Sequence, residues 1–539
     1  MEILDRVDAQ HTTASRCGSL LAFLQDGKLR VNHVASTARC LNEYNIKIPS
    51  KEIINITWSD DGTRIAVSSY KQVEIAHVDD PSHHVRLDNG GGGLGRFASA
   101  AFLDNEHLLT TWEFGRGRIW HLSSGRSTEI GDLKTTSSGQ AWSQRPRPSS
   151  AAPDMISILS RVSAEDVLTI HFVEDGKSTS RVSLPTVDAQ SLCWSPDGRW
   201  LAVVDTPTAA STIHFCTPDG HLYRSYPPKS SSDANGLGVK VLEWAGDSST
   251  VALAGHDGGV VLLNTRSFTT FASLEHSTTI DQSGLPQTKQ APIWQEHVSA
   301  ASERTYSLAT QPVSPPLSRG KPSTESDELG VAELCFSSNG EYLATRDERM
   351  LSTVWIWSKQ TLSAHTVIMQ HANVRKMLWH PSRPDLLMLD CGESVAYLLA
   401  VGSSSPPMPV MVPLPGTPIL AWLETAVDAS PAILALTKTS FRVIFPEGRP
   451  AQVHATADER ASALGADIYE EGTSEDSIMD VLSGRKPRTH KSEQSYTERI
   501  DMEANGEDAT MGLDDTFRAK RRPLDNAVEV DPLDDSEIF

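Results

Sequence analysis

The sequence predicts an all-β protein: a single closed β-propeller of seven to nine blades, followed by an acidic, disordered C-terminal tail. Three observations predict it. One short phrase recurs along the first 450 residues: an apolar pair, Trp or Phe, a polar turn, then a second apolar strand. Most copies are followed by a further short strand of the same alternating kind. Periodicity stops near Pro450, where the composition becomes acidic and nearly free of aromatics.

Five copies of the phrase are plain: INITWSDDGTRIAVSS from Ile54, SLCWSPDGRWLAVVD from Ser191, VLEWAGDSSTVALAG from Val241, ELCFSSNGEYLATRD from Glu333 and MLWHPSRPDLLML from Met377. Alternation with period two makes two half-buried strands, and Pro-Asp-Gly or Asn-Gly between them supplies the φ values of a tight hairpin. Trp58, Trp194, Trp244, Phe336 and Trp379 recur at one place in the phrase and are expected in the core. A third strand follows in QVEIAHV, STIHFCTPDG, GGVVLLNTRS and STVWIWSKQ, then polar turn residues and a weaker fourth strand, which together make one four-stranded blade. Weaker copies fill the gaps: SLLAFLQDGKLRV near the start, ASAAFLDNEHLLTTWEFGRGRIWHLSSG from Ala98, MISILSRVSAEDVLTIHFVEDG from Met155 and ILAWLETAVDASPAILALT from Ile419. About nine four-stranded units result, and the blade number depends on whether the two ends of the chain share one blade.

The propeller is expected over residues 1–450 and the disordered acidic tail over 451–539. Two stretches interrupt the pattern and are read as loop insertions: 142–153, rich in Pro, Ser and Arg, and about 276–329, which mixes Ser, Thr, Pro and charge without periodicity. Long loops often carry function, but a tolerated excursion explains them equally well.

Charge narrows the function classes. The chain carries a formal charge of -21, and 451–539, with 22 acidic and 10 basic residues, supplies -12 of it. Phosphate-backbone binding requires cations along a groove, so nucleic acid is not an expected partner. The six cysteines are scattered without a C-x-x-C pair, and no run of 18 or more apolar residues is present. Reduced thiols, no membrane partner and a cytosolic or nuclear setting are the expectation.

Signs of catalysis are weak. There is no G-x-S-x-G nucleophile elbow. Gly90, Gly92 and Gly95 formally match G-x-G-x-x-G, but a strand rather than a helix follows, so the run reads as an inter-blade turn. The histidines, His83 and His84 included, lack a second ligand cluster at metal-binding spacing. No enzyme activity, cofactor or metal is expected.

A polar ring is the one candidate surface. Acids fall at or just past the end of the second strand in several copies, at Glu113, Asp205, Asp257, Asp347 and Asp390, with Arg118 and Arg346 among them. Equivalent turns of a propeller share a face, so these residues are candidates for partner binding, and charge reversal at Asp205 and Asp347 is expected to weaken a partner. The competing reading is local: turns favour Asp because it hydrogen-bonds its own backbone. Elsewhere, Arg485-Lys486-Pro487-Arg488 and Lys520-Arg521-Arg522-Pro523 read either as import signals or as solvated basic islands. Ser314-Pro315 and Ser405-Pro406 look accessible to proline-directed phosphorylation, whereas Ser195-Pro196 lies in a blade turn.

A family resemblance enters with the order of segments. TTWEFGRGRIWHL at Thr110, LAVVDT with STIHFCTPDGHL, GLGVKVLEW running into ALAGHDGGVVLLN, SLATQPVSPP inside the long insertion, YLATRDERMLSTVWIWSKQ and VRKMLWHPSRPDLLML follow one another over about residues 50–445. In this the chain resembles the family of WD repeat-containing protein eight, the centrosomal and spindle-pole WD-repeat scaffolds, its fungal members in particular. The resemblance implies a protein of the spindle pole body or microtubule-organising centre that helps anchor microtubule minus ends and organise the mitotic spindle. It implies as partners a coiled-coil minus-end anchoring protein and a kinesin-fourteen class motor, with microtubules reached indirectly. The first unit, the 142–153 loop and the acidic tail depart from the shared pattern. A propeller scaffold in translation initiation is the second reading; it predicts ribosome association and a basic surface, which the charge disfavours.

Overall fold

The computed structural model describes residues 1–449 apart from 35–39, 82–83, 89–94, 137–140, 148, 150–151, 207–212, 228–237, 319–328 and 424–429. The segment read as a disordered tail, with both basic islands, lies outside the described residues, as do Gly90, Gly92 and His83.

Among the described residues the strands form nine sheets, antiparallel except for one added strand in the seventh blade, and helical structure is limited to single 3-10 turns. Blades 1 to 8 follow chain order over 10–44, 53–88, 97–132, 142–183, 191–226, 239–275, 331–369 and 376–411. Blade 9 takes three strands from 419–445 and its outer strand, Glu2–Ile3, from the other end of the chain. The two ends therefore share a blade, which fixes the number at nine.

Nine apolar clusters close the ring, each filling one gap between neighbouring blades. In the gap between blades 1 and 2, Leu24, Leu29 and Val31 meet Ile56, Ile65 and Val67. The same pairing repeats around the circle. It ends where Phe441, Val443 and Phe445 of blade 9 pack on Leu21, Phe23 and Val34 of blade 1, with the Phe23 and Phe441 rings 5.2 Å apart. A propeller without this last gap filled would leave two apolar blade faces in water.

Burial on both faces explains a departure from the expected alternation. The second and third strands lie between two neighbours, and several are buried throughout, as in His107–Trp112, Leu386–Asp390 and Thr353–Ser358. They read as nearly continuous apolar runs rather than half-buried ones. The outer strands, such as Arg126–Asp132, are mostly exposed and polar. First strands touch the first strands of adjacent blades and so line the axis.

The hairpin turns form as their residues dictate. In blades 2, 5 and 7 a serine hydroxyl (Ser59, Ser195, Ser337) donates to Asp61, Asp197 or Asn339 at 2.6 to 2.8 Å, and the following glycine (Gly62, Gly198, Gly340) takes φ of +66 to +73°. The recurring aromatic before that turn is buried in Trp194, Trp244 and Phe336 but only half-buried in Trp58 and Trp379. Its indole N–H ties adjacent blades: Trp58 donates to Thr13 O (3.4 Å), Trp379 to Cys335 O (3.0 Å), Trp422 to Leu378 O (2.9 Å) and Trp194 to the Ser157 hydroxyl (3.0 Å). An indole combines large apolar area with one donor, which suits a place that is half core and half seam.

Both presumed insertions carry regular structure. Trp142–Gln144 is the first strand of blade 4, too short to show a period. Within 276–329, Ile293–Val298 and Arg304–Leu308 form a hairpin that adds to the outer edge of blade 7, Ile293–Val298 running parallel to Ser363–Met369. Buried Glu296 pins it: its carboxylate takes Arg304 at 3.0 Å, the Tyr397 hydroxyl of blade 8 at 2.7 Å and the His371 N–H at 2.8 Å.

Candidate protein-docking face

Turns from second to third strand, and loops from one blade to the next, open on one face of the propeller. All seven residues singled out in the sequence lie on or near this face, but they do not form an exposed ring. Asp205, Asp347 and Asp390 are buried. Asp205 accepts from the N–H groups of Val187 (2.9 Å), Asp188 (2.8 Å) and Thr206 (2.8 Å). Asp347 accepts from Arg349 N (2.7 Å) and Nε (2.9 Å). Asp390 accepts from Gly392 N at 2.7 Å, and burial pushes its carboxyl above the usual range. These three carboxylates are turn fasteners and present nothing to a partner, because their lone pairs are spent on loop backbone or a neighbouring guanidinium.

The other four differ. Arg118 is half-buried, its guanidinium 5.7 Å from the Trp112 ring centroid and 3.8 Å from Glu129. Arg346 is half-buried against Glu333 at 3.3 Å. Glu113 and Asp257 are exposed, and Asp257 accepts from Gly259 N at 2.9 Å.

Between blades 3, 4 and 5 the face is cross-tied. The Lys134 ammonium, almost fully buried, reaches Asp166 and Asp188, both at 2.7 Å, and the Ala189 carbonyl at 2.8 Å. Asp166 also accepts from Ala189 N (2.6 Å) and the Thr186 hydroxyl (2.9 Å). With the charges paired and the remaining valences filled, the loop between blades 4 and 5 is held in one geometry. A groove of about 700 Å³ lies here, lined by Leu133, Lys134, Arg161, Val187 and Asp188 among others.

Large apolar side chains project on the same face of blades 2 to 5: Phe114 is 71% exposed, Val187 60%, Tyr70 49% and Val162 42%. Tyr70 carries the Arg96 guanidinium 5.5 Å above its ring. Tyr70 and Phe114 occupy the turns between second and third strands of blades 2 and 3, and Val162 ends the second strand of blade 4. Val187 sits on the loop that Asp205 fastens. Residues of this size exposed on one face are the kind of side chain that contact surfaces use. The sequence reading missed them because it looked for charge; an aromatic inside the Gly-flanked turn Glu113-Phe114-Gly115 is the signal that was available.

Among the described residues no group of three or more His, Cys, Asp and Glu is placed to hold a metal ion, and no helix is long and apolar enough to cross a membrane.

No family model matches the chain. WD repeat-containing protein WRAP73 of Mus musculus is 27% identical over 418 residues, covering 73% of this chain and 87% of its own length. An uncharacterised WD repeat-containing protein of Schizosaccharomyces pombe is 26% identical over 277 residues, covering 50% of this chain and 53% of its own length. Solved structures with similar architecture include a eukaryotic initiation factor (TM-score 0.49, 10% identity, 76% of this chain and 89% of that one). Another is the C-terminal WD40 domain of Sif2 (TM-score 0.40, 11% identity, 72% and 95%). The recurring Trp-turn hairpin repeated in a closed ring, and the similarity to two WD-repeat proteins over half or more of this chain, are those of a WD-repeat β-propeller.

Proposed function

We propose that this protein is a non-enzymatic protein-interaction scaffold of the spindle pole body or microtubule-organising centre. In this reading it helps anchor microtubule minus ends and organise the mitotic spindle. Its partners are a coiled-coil minus-end anchoring protein and a kinesin-fourteen class motor, and microtubules are reached through them. The observation that carries the binding role is the exposure of Phe114, Tyr70, Val162 and Val187 on the same face of the ring that carries the groove lined by Lys134, Val187 and Asp188. The spindle-pole assignment is supported by the ordered segments shared with the WD repeat-containing protein eight family, and by the similarity to WRAP73 over most of both chains.

Exposed Glu113 and Asp257 are retained as rim residues of the docking face; Asp205, Asp347 and Asp390 act only by shaping it. A helical partner segment would lay its apolar side on Phe114 and Val187. The test is the mitotic localisation of a fluorescently tagged chain in its own cells, alone and with Phe114→Asp and Val187→Asp. Focused signal at the poles, dispersed by the paired substitutions while the protein stays folded, supports the reading. Diffuse signal from the unaltered chain, with co-sedimentation on ribosomes, overturns it.

A further inference from the structure

A second surface lies at the rim of the opposite face, where first-to-second and third-to-fourth strand turns open, between blades 5 and 6. Its floor is aromatic. Tyr223, 50% exposed on the outer strand of blade 5 (Leu222–Tyr226), has its ring 4.7 Å from that of Trp200, at the first-to-second turn of the same blade. Phe268 of blade 6 backs both rings, 5.2 Å from Trp200 and 6.0 Å from Tyr223. A β-bulge aims the side chains: Phe215 pairs with Arg224 and Cys216 with Leu222, so Tyr223 is the extra residue and turns to the side that Arg224 takes. Both reach the third-to-fourth turn of blade 6. The Tyr223 hydroxyl donates to Arg266 O at 3.2 Å, and the Arg224 guanidinium donates to Ser267 O.

The charge here runs against the rest of the molecule. Residues 1–450 carry -9, the difference between -21 for the chain and -12 for 451–539. Arg224 and Arg266 are nonetheless exposed, and neither guanidinium meets a carboxylate among the described residues. The adjoining turns do hold acids, tied in through Ser248, whose hydroxyl takes the Asp197 N–H at 3.0 Å and whose carbonyl takes the Thr265 hydroxyl at 2.7 Å. Those acids are occupied: Asp197 accepts from the Ser195 hydroxyl at 2.6 Å and the Arg199 N–H at 3.1 Å, and Asp247 accepts from the Lys359 ammonium at 2.7 Å. The Trp200 indole N–H also has no acceptor among the described residues, and unlike those of Trp244 and Trp355 it is not sealed from solvent.

Two guanidiniums without counter-ions and an open indole donor, set around an exposed ring, call for a ligand that brings acceptors, negative charge and an apolar group. Aspartate and glutamate side chains supply the first two, and a neighbouring apolar or aromatic residue supplies the third. We propose that this surface docks an acidic segment of a partner protein, with its carboxylates on Arg224 and Arg266 and an apolar or aromatic side chain against Tyr223. Charge complementarity of this kind fixes register and raises the rate of encounter. Two cations on a body of net negative charge are too few to follow a phosphate backbone, which favours a protein segment over nucleic acid. The surface shares no residue with the Phe114 and Val187 face, so the proposal goes beyond that binding role and does not rest on it.

The test uses the full chain and a fluorescein-labelled synthetic peptide of alternating glutamate and glycine with benzoylphenylalanine, an aromatic photo-cross-linker, at its centre. Anisotropy at low ionic strength is read for the parent, for Arg224→Gln combined with Arg266→Gln, and for Arg126→Gln combined with Arg181→Gln. The last pair removes the same charge from exposed positions on blades 3 and 4. The first pair changes only exposed side chains; it is expected to bind about fivefold more weakly, and the control pair to change by less than about twofold. Cross-links are expected in 199–200, 222–224 or 264–267. Equal weakening in both pairs, a change of less than about twofold in the first, or cross-links confined to other segments overturns the proposal. Displacement of the peptide by oligothymidylate at lower concentration than by unlabelled peptide overturns it in favour of nucleic acid. None of these results bears on the Phe114 and Val187 face.

Discussion

At the scale of single residues, carboxylates that look alike in the sequence have opposite roles. Asp205 and Asp347 are spent on local bonds, so Asp205→Asn is expected to cost about 1 to 3 kcal/mol of stability and Asp347→Asn, which strands Arg349, about 3 to 5 kcal/mol. Denaturant melts of the two variants check this; charge reversal at either position unfolds the turn before it informs on a partner. Glu243, in the first strand of blade 6, is different again. Burial alone pushes its carboxyl up to about 7, and its charge reaches the thiols of Cys193 and Cys335. The folded state then binds a proton more tightly than the unfolded chain, so stability falls as pH rises from the ordinary carboxyl value toward 7 and levels off above it. Glu243→Gln is expected to remove that decline, worth up to about 3 kcal/mol, which melts of parent and variant at pH 5 and pH 7.5 measure.

At the scale of elements, the hairpin of Ile293–Val298 and Arg304–Leu308 shows how an aperiodic stretch acquires structure. Its strands are short and only partly buried, and what fixes them is the parallel pairing with Ser363–Met369 and the Glu296 bond set to Arg304, Tyr397 and His371 rather than any periodic pattern. Glu296→Ala takes away the acceptor shared by Arg304, the Tyr397 hydroxyl and the His371 N–H, leaving Arg304 only Glu393, at 2.8 Å, as a carboxylate partner, and is expected to cost about 1 to 3 kcal/mol locally. Limited proteolysis should then cut the Ser299–Glu303 turn faster, with the blade hairpins still protected; equal cleavage of parent and variant would show that the hairpin is held otherwise. The Trp58, Trp379 and Trp422 seams make the complementary point, since each indole bond belongs to two blades and to no single repeat. Replacing Trp422 by Phe keeps an aromatic ring but removes the donor and part of the indole's packing area, an expected loss of about 1 to 3 kcal/mol in denaturant melts.

At the scale of the whole molecule, closure rests on the first nine residues. Glu2 and Ile3 pair with Phe445 and Ile444, Val7 with Phe441, and Arg449 forms an ion pair with Glu2. Removing residues 1–8 exposes the third strand of blade 9 as an unpaired edge and loosens the cluster shared with blade 1. The shortened chain is expected to lose its single cooperative melt and to self-associate in size-exclusion chromatography. A monomer that melts like the parent would mean that the apolar gap between blades 9 and 1 closes the ring without the edge strand.

The sequence by itself determined the fold class, the repeating hairpin and most of the blades, because each depends on neighbours in the chain: alternation, a Ser-x-Asp-Gly turn, a Trp at fixed offset. It also contained, in short apolar runs such as LLMLD and TVWIWS, strands covered on both sides. The docking surfaces were decided only by tertiary structure. Whether Asp205 faces water or fastens a loop depends on Val187 and Asp188, 18 and 17 residues away. Whether Phe114 and Val187 come to share one exposed face depends on how one blade meets the next. Side-chain exposure is set by packing across those gaps, and no local pattern records it.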